Sequence, residues 1–354
     1  MSRFLDPRLE KLEPYVPGEQ PRNIRRLVKL NTNENPYPPS PGVRQVLADL
    51  DPAQLRLYPH PDAGELRQTA AGAWGIEPEQ VLAGNGSDEI LALCFQAFGS
   101  GGFSFADISY GFYQVWADFY GAEYRTIPLK DDFTLDIADY LDQKGTLLLA
   151  SPNAPTGLGL GNKQLRQLLA ADKNRLVIVD EAYADFAAEN ALPLLAEYDN
   201  LLIVRTLSKG YSLAGVRIGF ALGSPELIAD LQKLKYSFNP YNVNRLSAAV
   251  AAAALQDQDY FRECRDKVVA ERQRVTADLR KLGFSITDSE ANFIFAGAHP
   301  RLSAADWFKS LRDYGVITRY FSKERIANYL RISIGTYEDN QILLKATKEI
   351  LAKA

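Results

Sequence analysis

A lysine that follows a buried strand is ordinarily a surface charge, its stem on apolar surface and its amine in water. In the segment Leu201–Leu222, LLIVRTLSKGYSLAGVRIGFAL, the lysine keeps different company. Thr206 and Ser208 set two hydroxyls beside Lys209, and Arg217 follows within Gly215-Val216-Arg217-Ile218-Gly219. Glycine lets backbone approach a ligand closely, and the planar fork of arginine matches phosphate oxygens. Burial beside cationic groups would lower the pKa of such an amine, so that it could condense with an aldehyde and later carry a proton. Lys209 is the candidate nucleophile of this chain.

Other strand ends carry matching chemistry. LVIVDEAYADF is an apolar run that ends at Asp180, with Tyr183 three residues later, and LLLASPNAPTG runs into the turn Ser151–Gly157. Asp180 alone also reads as the N-cap of a following helix. Upstream, Gly84-Asn85-Gly86-Ser87-Asp88-Glu89 joins a strand to a helix, where exposed amides make an anion cradle. The same residues cap ordinary helices, so this segment gains weight only beside the others. Asp180 and Lys209 both fall at the carboxyl ends of strands, where open α/β sheets place their ligands.

The elements that must position these residues follow an alternating pattern. The first 40 residues are irregular and proline-rich, and NTNENPYPPSP reads as an extended loop because each residue before a proline is pushed out of helix. From Glu65 onward helices and strands alternate: ELRQTAAGAWG, VLAGNG, SDEILALCFQAF, GFSFAD and SYGFYQVWADFYG. The strands AEYRTIPL, TLLLASPN, LVIVDEAY, LLIVRTLS and VRIGFAL continue it, several as short Val/Ile/Leu runs that imply burial on both faces. The alternation predicts an α/β layered domain with a mostly parallel central sheet. Near Asn239 the texture changes to long helical segments and then to a short strand-and-helix region. We therefore expect an N-terminal arm over 1–40, a large ligand-binding domain over 41–245 and a smaller α/β domain over 246–354.

Composition excludes several classes. The 354 residues carry 40 Lys+Arg against 44 Asp+Glu, a formal net charge of −4, without a long block of like charge, which argues against nucleic acid. No apolar stretch is long enough to span a bilayer, and the charged start lacks the apolar core of a signal peptide. A cytoplasmic location is the expectation. Cys94 and Cys264 lack the paired spacing of zinc or redox motifs and read as buried free thiols. The two histidines, His60 and His299, lie in turn-like contexts that suggest surface or structural duty, so no metal site is expected.

The S-K-x6-G-x-R pattern of Ser208, Lys209, Gly215 and Arg217 resembles the cofactor-lysine motif of the fold-type-I aminotransferases. SPNAPTG is similar to that superfamily's PNNPTG turn, and Asp180 through Tyr183 to its D-E-A-Y. The resemblance implies pyridoxal 5'-phosphate bound covalently to Lys209. Asp180 would face the pyridine nitrogen and Tyr183 the phenolic oxygen. Gly86, Ser87, Asp88, Thr206, Ser208 and Arg217 would surround the phosphate, and Tyr110 would stack on the ring. Where the superfamily has asparagine before Pro-Thr-Gly this chain has Ala154, with Asn153 beside it as a further cofactor contact. Tyr58 matches a tyrosine that reaches the neighbouring subunit's cofactor, which implies a homodimer.

Within that superfamily KLNTNENPYPPSP, YPHPDAGELR, GNGSDEIL and LRISIGT make the chain similar to the histidinol-phosphate aminotransferases. That likeness implies amino transfer between L-histidinol phosphate and 2-oxoglutarate in histidine biosynthesis. Tyr15, Asn33, Arg319 and Arg331 would form the substrate site, with the arginines on the phosphate and also on the carboxylates of glutamate. Aromatic amino-acid aminotransferases and threonine-phosphate decarboxylases share the lysine machinery and are the nearest alternatives. A non-catalytic regulatory module of the same fold is the alternative from another class, and no extra DNA-binding segment accompanies this chain.

Overall fold

The computed structural model describes residues 2–20 and 27–354, so part of the expected arm lies outside the described residues. A two-residue strand, β1 (Val28–Lys29), comes first. The strands β2 (Val81–Gly84), β3 (Phe103–Ala106), β4 (Tyr124–Ile127), β5 (Thr146–Ala150), β6 (Val177–Asp180), β7 (Leu201–Thr206) and β8 (Gly219–Gly223) then form one sheet. Its order is β2-β8-β7-β6-β5-β3-β4, parallel throughout except for β8, which runs against both neighbours. All seven strands read from the sequence are present.

Alternation along the central strands packs both faces of the sheet with buried apolar side chains. Val177 and Val179 of β6 and Leu201 and Ile203 of β7 point to one face, while Ile178, Leu202 and Val204 point to the other. Each face is covered by helices, which is why β6 and β7 are buried along their whole length. Helices Ser87–Phe98, Phe112–Tyr120 and Pro225–Phe238 cover the second face. Gly64–Trp74, Asn162–Ala171 and Arg245–Gln256 cover the first.

The last of these helices corrects one boundary. Sequence texture assigns residues from 246 onward to the second domain, yet Val250, Ala251, Ala254 and Leu255 are buried in the core of the seven-stranded sheet. The helix packs on Pro41–Asp49 and Gly64–Trp74. Its small apolar side chains suit close helix–helix approach, so the change of core falls after Gln256 and not before the helix.

A second core gathers β9 (Phe293–Gly297), β10 (Val316–Ile317), β11 (Arg319–Tyr320) and β12 (Tyr329–Ser333) with helices Gln258–Lys281, Ala304–Asp313 and Tyr337–Lys353. β11, β12 and β9 form an antiparallel sheet in that order. The arm joins this core: β1 pairs in parallel with β10, and Val28 and Leu30 are buried there. Both cysteines are buried and unpaired. Among the described residues no helix is long and apolar enough to cross a membrane.

Candidate active site

The carboxyl ends of β6 and β7, the start of helix Ser87–Phe98, the arm and β12 enclose a cavity of about 200 Å³. Lys209 lies three residues beyond β7 and is half-buried, with its Nζ donating to the Thr32 carbonyl at 3.1 Å. Asn35 Nδ2 donates to the carbonyls of Lys209 and Gly210 at 3.0 and 3.1 Å, which fixes the turn that carries the lysine. Burial, reinforced by the nearby Arg331 charge, lowers the amine from its ordinary 10.5 to about 8. A nucleophilic amine near neutral pH follows from this environment.

Asp180 is the last residue of β6 and is buried. Tyr113 donates to its Oδ2 at 2.7 Å and the Ala182 amide to its Oδ1 at 3.1 Å. Burial outweighs these two bonds and raises the carboxyl to about 6. Such a group gains from a cationic partner placed in the cavity beside it. Tyr113, the support of Asp180, was not singled out from the sequence, because a tyrosine on an aromatic-rich helix reads as core.

The start of helix Ser87–Phe98 is an open cradle. Gly86 has a φ of +90°, and a Cβ there would meet Arg217 Nη2 at 2.6 Å. A Cβ on Gly219 would meet the Ser87 amide nitrogen at 2.3 Å. The two glycines thus allow β8 and the Arg217 guanidinium to close on the helix N-terminus, where unpaired amides favour an anion. Arg217 itself sits at φ +59°, an uncommon conformation for a residue with a side chain. Its Nη2 lies 3.2 Å from Asp88 Oδ2, and Asp88 Oδ1 accepts from the Tyr110 hydroxyl at 3.0 Å. Thr206 Oγ1 and Ser208 Oγ lie 2.9 Å apart on the same side.

Two arginines close the opposite end. Arg319 and Arg331 are direct cross-strand partners in β11 and β12, an arrangement that costs free energy unless an anion lies between the charges. Arg331 is half-buried; its Nη2 donates to the Asn31 carbonyl at 2.9 Å, while its Nε is buried with no partner among the described residues. Arg319 Nη2 reaches the Val16 carbonyl at 3.4 Å. Neither forms an ion pair among the described residues, in contrast to Arg312 with Glu19 and Arg325 with Asp107. Tyr15 of the arm lies over this end, stacked on Phe112 at 4.2 Å and edge-on to Tyr110 at 5.9 Å.

The structure thus brings Lys209, Asp180, Tyr183, the cradle residues, Tyr110, Tyr15, Asn33 and both arginines to one cavity. Two residues of the predicted set are elsewhere. Asn153, expected at the cofactor, is turned away: its Nδ2 donates to the Ile108 carbonyl and Thr156 Oγ1 at 2.9 and 3.0 Å, and its Oδ1 accepts from Ser109 at 2.9 Å. It braces the turn, and Ala154 takes the place on the cavity wall. Tyr58 is 78% exposed and stacks on Tyr241 at 4.7 Å, outside the cavity of its own chain. Thr32 and Phe321 also line the cavity and carried no sequence signal.

Fold and site together set a helix N-terminal cradle suited to an anion and a half-buried lysine amine on the wall of one cavity at the carboxyl edge of an α/β sheet. The chain matches the aminotransferase class I and II family over residues 25–346 and belongs to it. It is 46% identical over 355 residues to a histidinol-phosphate aminotransferase of Clostridium botulinum (strain Okra / Type B1), covering all of both chains. It is equally similar, at 46% over 352 residues, to that of Acinetobacter baumannii (strain AYE), covering 98% of this chain and 97% of that one. A solved histidinol-phosphate aminotransferase of Sinorhizobium meliloti in complex with pyridoxal-5'-phosphate superimposes with a TM-score of 0.82 at 25% identity, covering 92% of this chain and 91% of that chain.

The depressed Lys209 pKa makes a stability prediction for the ligand-free protein. The folded amine titrates near 8 and the unfolded one near 10.5, so burial of the charge is fully paid below pH 8. Between those values the unfolded chain binds the extra proton, and stability rises with pH. Lys209→Met should therefore stabilise the ligand-free protein at pH 7 by about 1–3 kcal/mol, an advantage that fades toward pH 10.5. Urea denaturation of both proteins across this range measures it; a pH-independent difference refutes the assignment of a half-buried, shifted amine.

Proposed function

We propose that this chain transfers the amino group between L-histidinol phosphate and 2-oxoglutarate, yielding imidazole-acetol phosphate and glutamate, with pyridoxal 5'-phosphate bound at Lys209. The observation that carries the substrate is the Arg319–Arg331 pair, two cross-strand cations without a carboxylate partner among the described residues, facing the lysine across one cavity. Histidinol phosphate has no carboxylate, and its phosphate is the anion that two arginine forks accept. The full-length relatives at 46% identity support the same reading and speak against the aromatic aminotransferase and decarboxylase alternatives.

The residues present fit the cofactor. A cradle that a Cβ would fill, a buried carboxyl without a cation among the described residues and a half-buried amine lie around one cavity, and they suit phosphate, pyridine nitrogen and aldehyde in turn. When bound, the ring supplies a sink for the electron pair released at the substrate carbon. Asp180 holds a proton at the ring nitrogen, with its own orientation fixed by Tyr113. The amides of the helix start, Ser208, Thr206 and Arg217 bind the phosphate, while Asp88 aims the guanidinium. Tyr110 covers the ring face. Lys209 would take the proton from the substrate carbon and return it across the nitrogen to the former aldehyde carbon, for which a pKa near 8 is well matched. Arg331 takes a carboxylate of glutamate in the second half of the cycle, and Tyr15 excludes water above the phosphate end.

The exposed Tyr58, outside its own cavity, supports a homodimer in which it completes the partner's site. Mixing Tyr58→Phe and Lys209→Ala subunits should restore activity through heterodimers with one intact site. Activity no greater than that of the separate parents, with subunit exchange confirmed, rules out the shared site.

Borohydride reduction of the protein as purified should attach the cofactor to the peptide that contains Lys209. Recovery on another lysine, or no adduct after reconstitution, ends the cofactor assignment. For the substrate, Arg331→Ala should lower kcat/KM for both histidinol phosphate and glutamate, by about 2–5 kcal/mol in transition-state binding where the site is closed to water. Arg319→Ala should harm the phosphorylated substrate more. Wild-type protein that treats histidinol phosphate and histidinol alike contradicts the substrate and leaves the aminotransferase standing.

A further inference from the structure

Behind Tyr183 runs a line of buried polar side chains drawn from separate parts of the chain: Asn33 of the arm and Ser333 at the end of β12. They are 1% and 3% exposed. The hydrogen bonds of this line run in one direction. Ser333 Oγ accepts from the backbone amide of Asn33 at 2.9 Å and donates to Asn33 Oδ1, also at 2.9 Å. The asparagine amide is thereby oriented, and its Nδ2 donates to the Tyr183 oxygen at 3.0 Å. With that lone pair used, the phenol directs its hydrogen away from Asn33, and the open space beside it is the cavity.

The surroundings hold this orientation. Asn33 adopts a φ of +56°, which asparagine tolerates better than most residues, and Asn292 Nδ2 donates to its carbonyl at 2.9 Å. The rest of that wall is apolar, with Ala154, Ala291 and Phe293 packed around Tyr183, and Phe293 edge-on to its ring at 5.0 Å. Ala154 supplies no donor, and Asn153 is turned into its own turn.

We propose that Asn33 and Ser333 are positioning residues that commit Tyr183 to donate its proton to the phenolic oxygen of the cofactor. The inference rests on the reading that pyridoxal phosphate is bound at Lys209. The carbons flanking the aldehyde bear the phosphate arm on one side and the phenolic oxygen on the other. With phosphate in the helix cradle and ring nitrogen at Asp180, that oxygen falls on the side of Tyr183 and Ala154. Burial pushes the Tyr183 phenol up, and the Arg331 charge and the Asn33 hydrogen bond pull it back, which keeps it a usable donor. Ser333 lies two residues beyond Arg331 on β12, so one strand ties the arginine to the tyrosine's support.

The test is a pH titration of the visible absorbance of the cofactor-loaded protein without substrate, which reads protonation of the nitrogen joining cofactor and Lys209. A weaker donor at the phenolic oxygen leaves that oxygen more basic, so the nitrogen keeps its proton to higher pH. Asn33→Ala should shift the transition upward by about half to one pH unit, the size of one hydrogen bond. Asn33→Asp should shift it at least as far, because a carboxylate draws the phenol's proton to itself. Ser333→Ala should move it in the same direction, and Ala154→Asn, which restores a donor to the wall, downward. In a Tyr183→Phe background the effect of Asn33→Ala should vanish, which a merely structural role would not produce. An Asn33→Ala transition unchanged from wild type, or a shift that persists without the Tyr183 hydroxyl, overturns the proposal. Should Asn33→Ala fail to fold, an unchanged transition in Ser333→Ala overturns it equally. Absence of any cofactor absorbance in wild type would instead remove the cofactor reading on which it stands.

Discussion

A lysine amine titrates well below its ordinary range only if it is taken out of water and kept from pairing with an anion, and the arrangement around Lys209 is organised by that constraint. The strand β7 delivers the lysine to the middle of the sheet's carboxyl edge, the arm closes over it through the Thr32 carbonyl, and Arg331 adds a positive charge nearby. No carboxylate pairs with Nζ among the described residues. The arm and β12 therefore act on the chemistry even though they belong to the second core.

The period of two along β6 and β7 separates reactive from structural charge. Asp180 and Thr206 face the cavity, whereas their chain neighbours Glu181 and Arg205 face the opposite side. There the buried Arg205 grips the buried Glu181 Oε2 through Nε and Nη2 at 2.9 and 2.7 Å, with the partly buried Asp185 at 3.8 Å. The pair is satisfied internally, so it holds β6 and β7 in place below the site without competing for the ligand. On the cavity side Asp180 and the arginine pair are left short of partners. Unsatisfied charge marks where ligand is expected, and satisfied charge marks scaffold.

The central strands were legible in the sequence because short Val/Ile/Leu runs between helical segments have few other stable arrangements than a covered parallel sheet. The same local reading failed at helix Arg245–Gln256: an alanine-rich helix packs equally well on either core, and only contact with Gly64–Trp74 decides which. Nor does sequence show that β8 alone is reversed, since direction depends on the connection through Arg217 and on Gly219 fitting against Ser87. Asn153 and Ala154 are neighbours with nearly opposite surroundings, and a turn's side-chain directions follow from backbone geometry that residue types do not encode singly.

By itself, then, the sequence pointed to the chemistry through the types and spacing of Ser208, Lys209, Gly215 and Arg217, with Asp180 and Tyr183 at another strand end. Those signals are local, each residing within a dozen residues of chain. What tertiary structure decided is everything that depends on segments far apart, because hydrogen-bond direction and charge pairing need distances that sequence does not contain. The facing of Arg319 and Arg331, the support of Asp180 by Tyr113, the exclusion of Asn153 and the line from Ser333 through Asn33 to Tyr183 all arise that way.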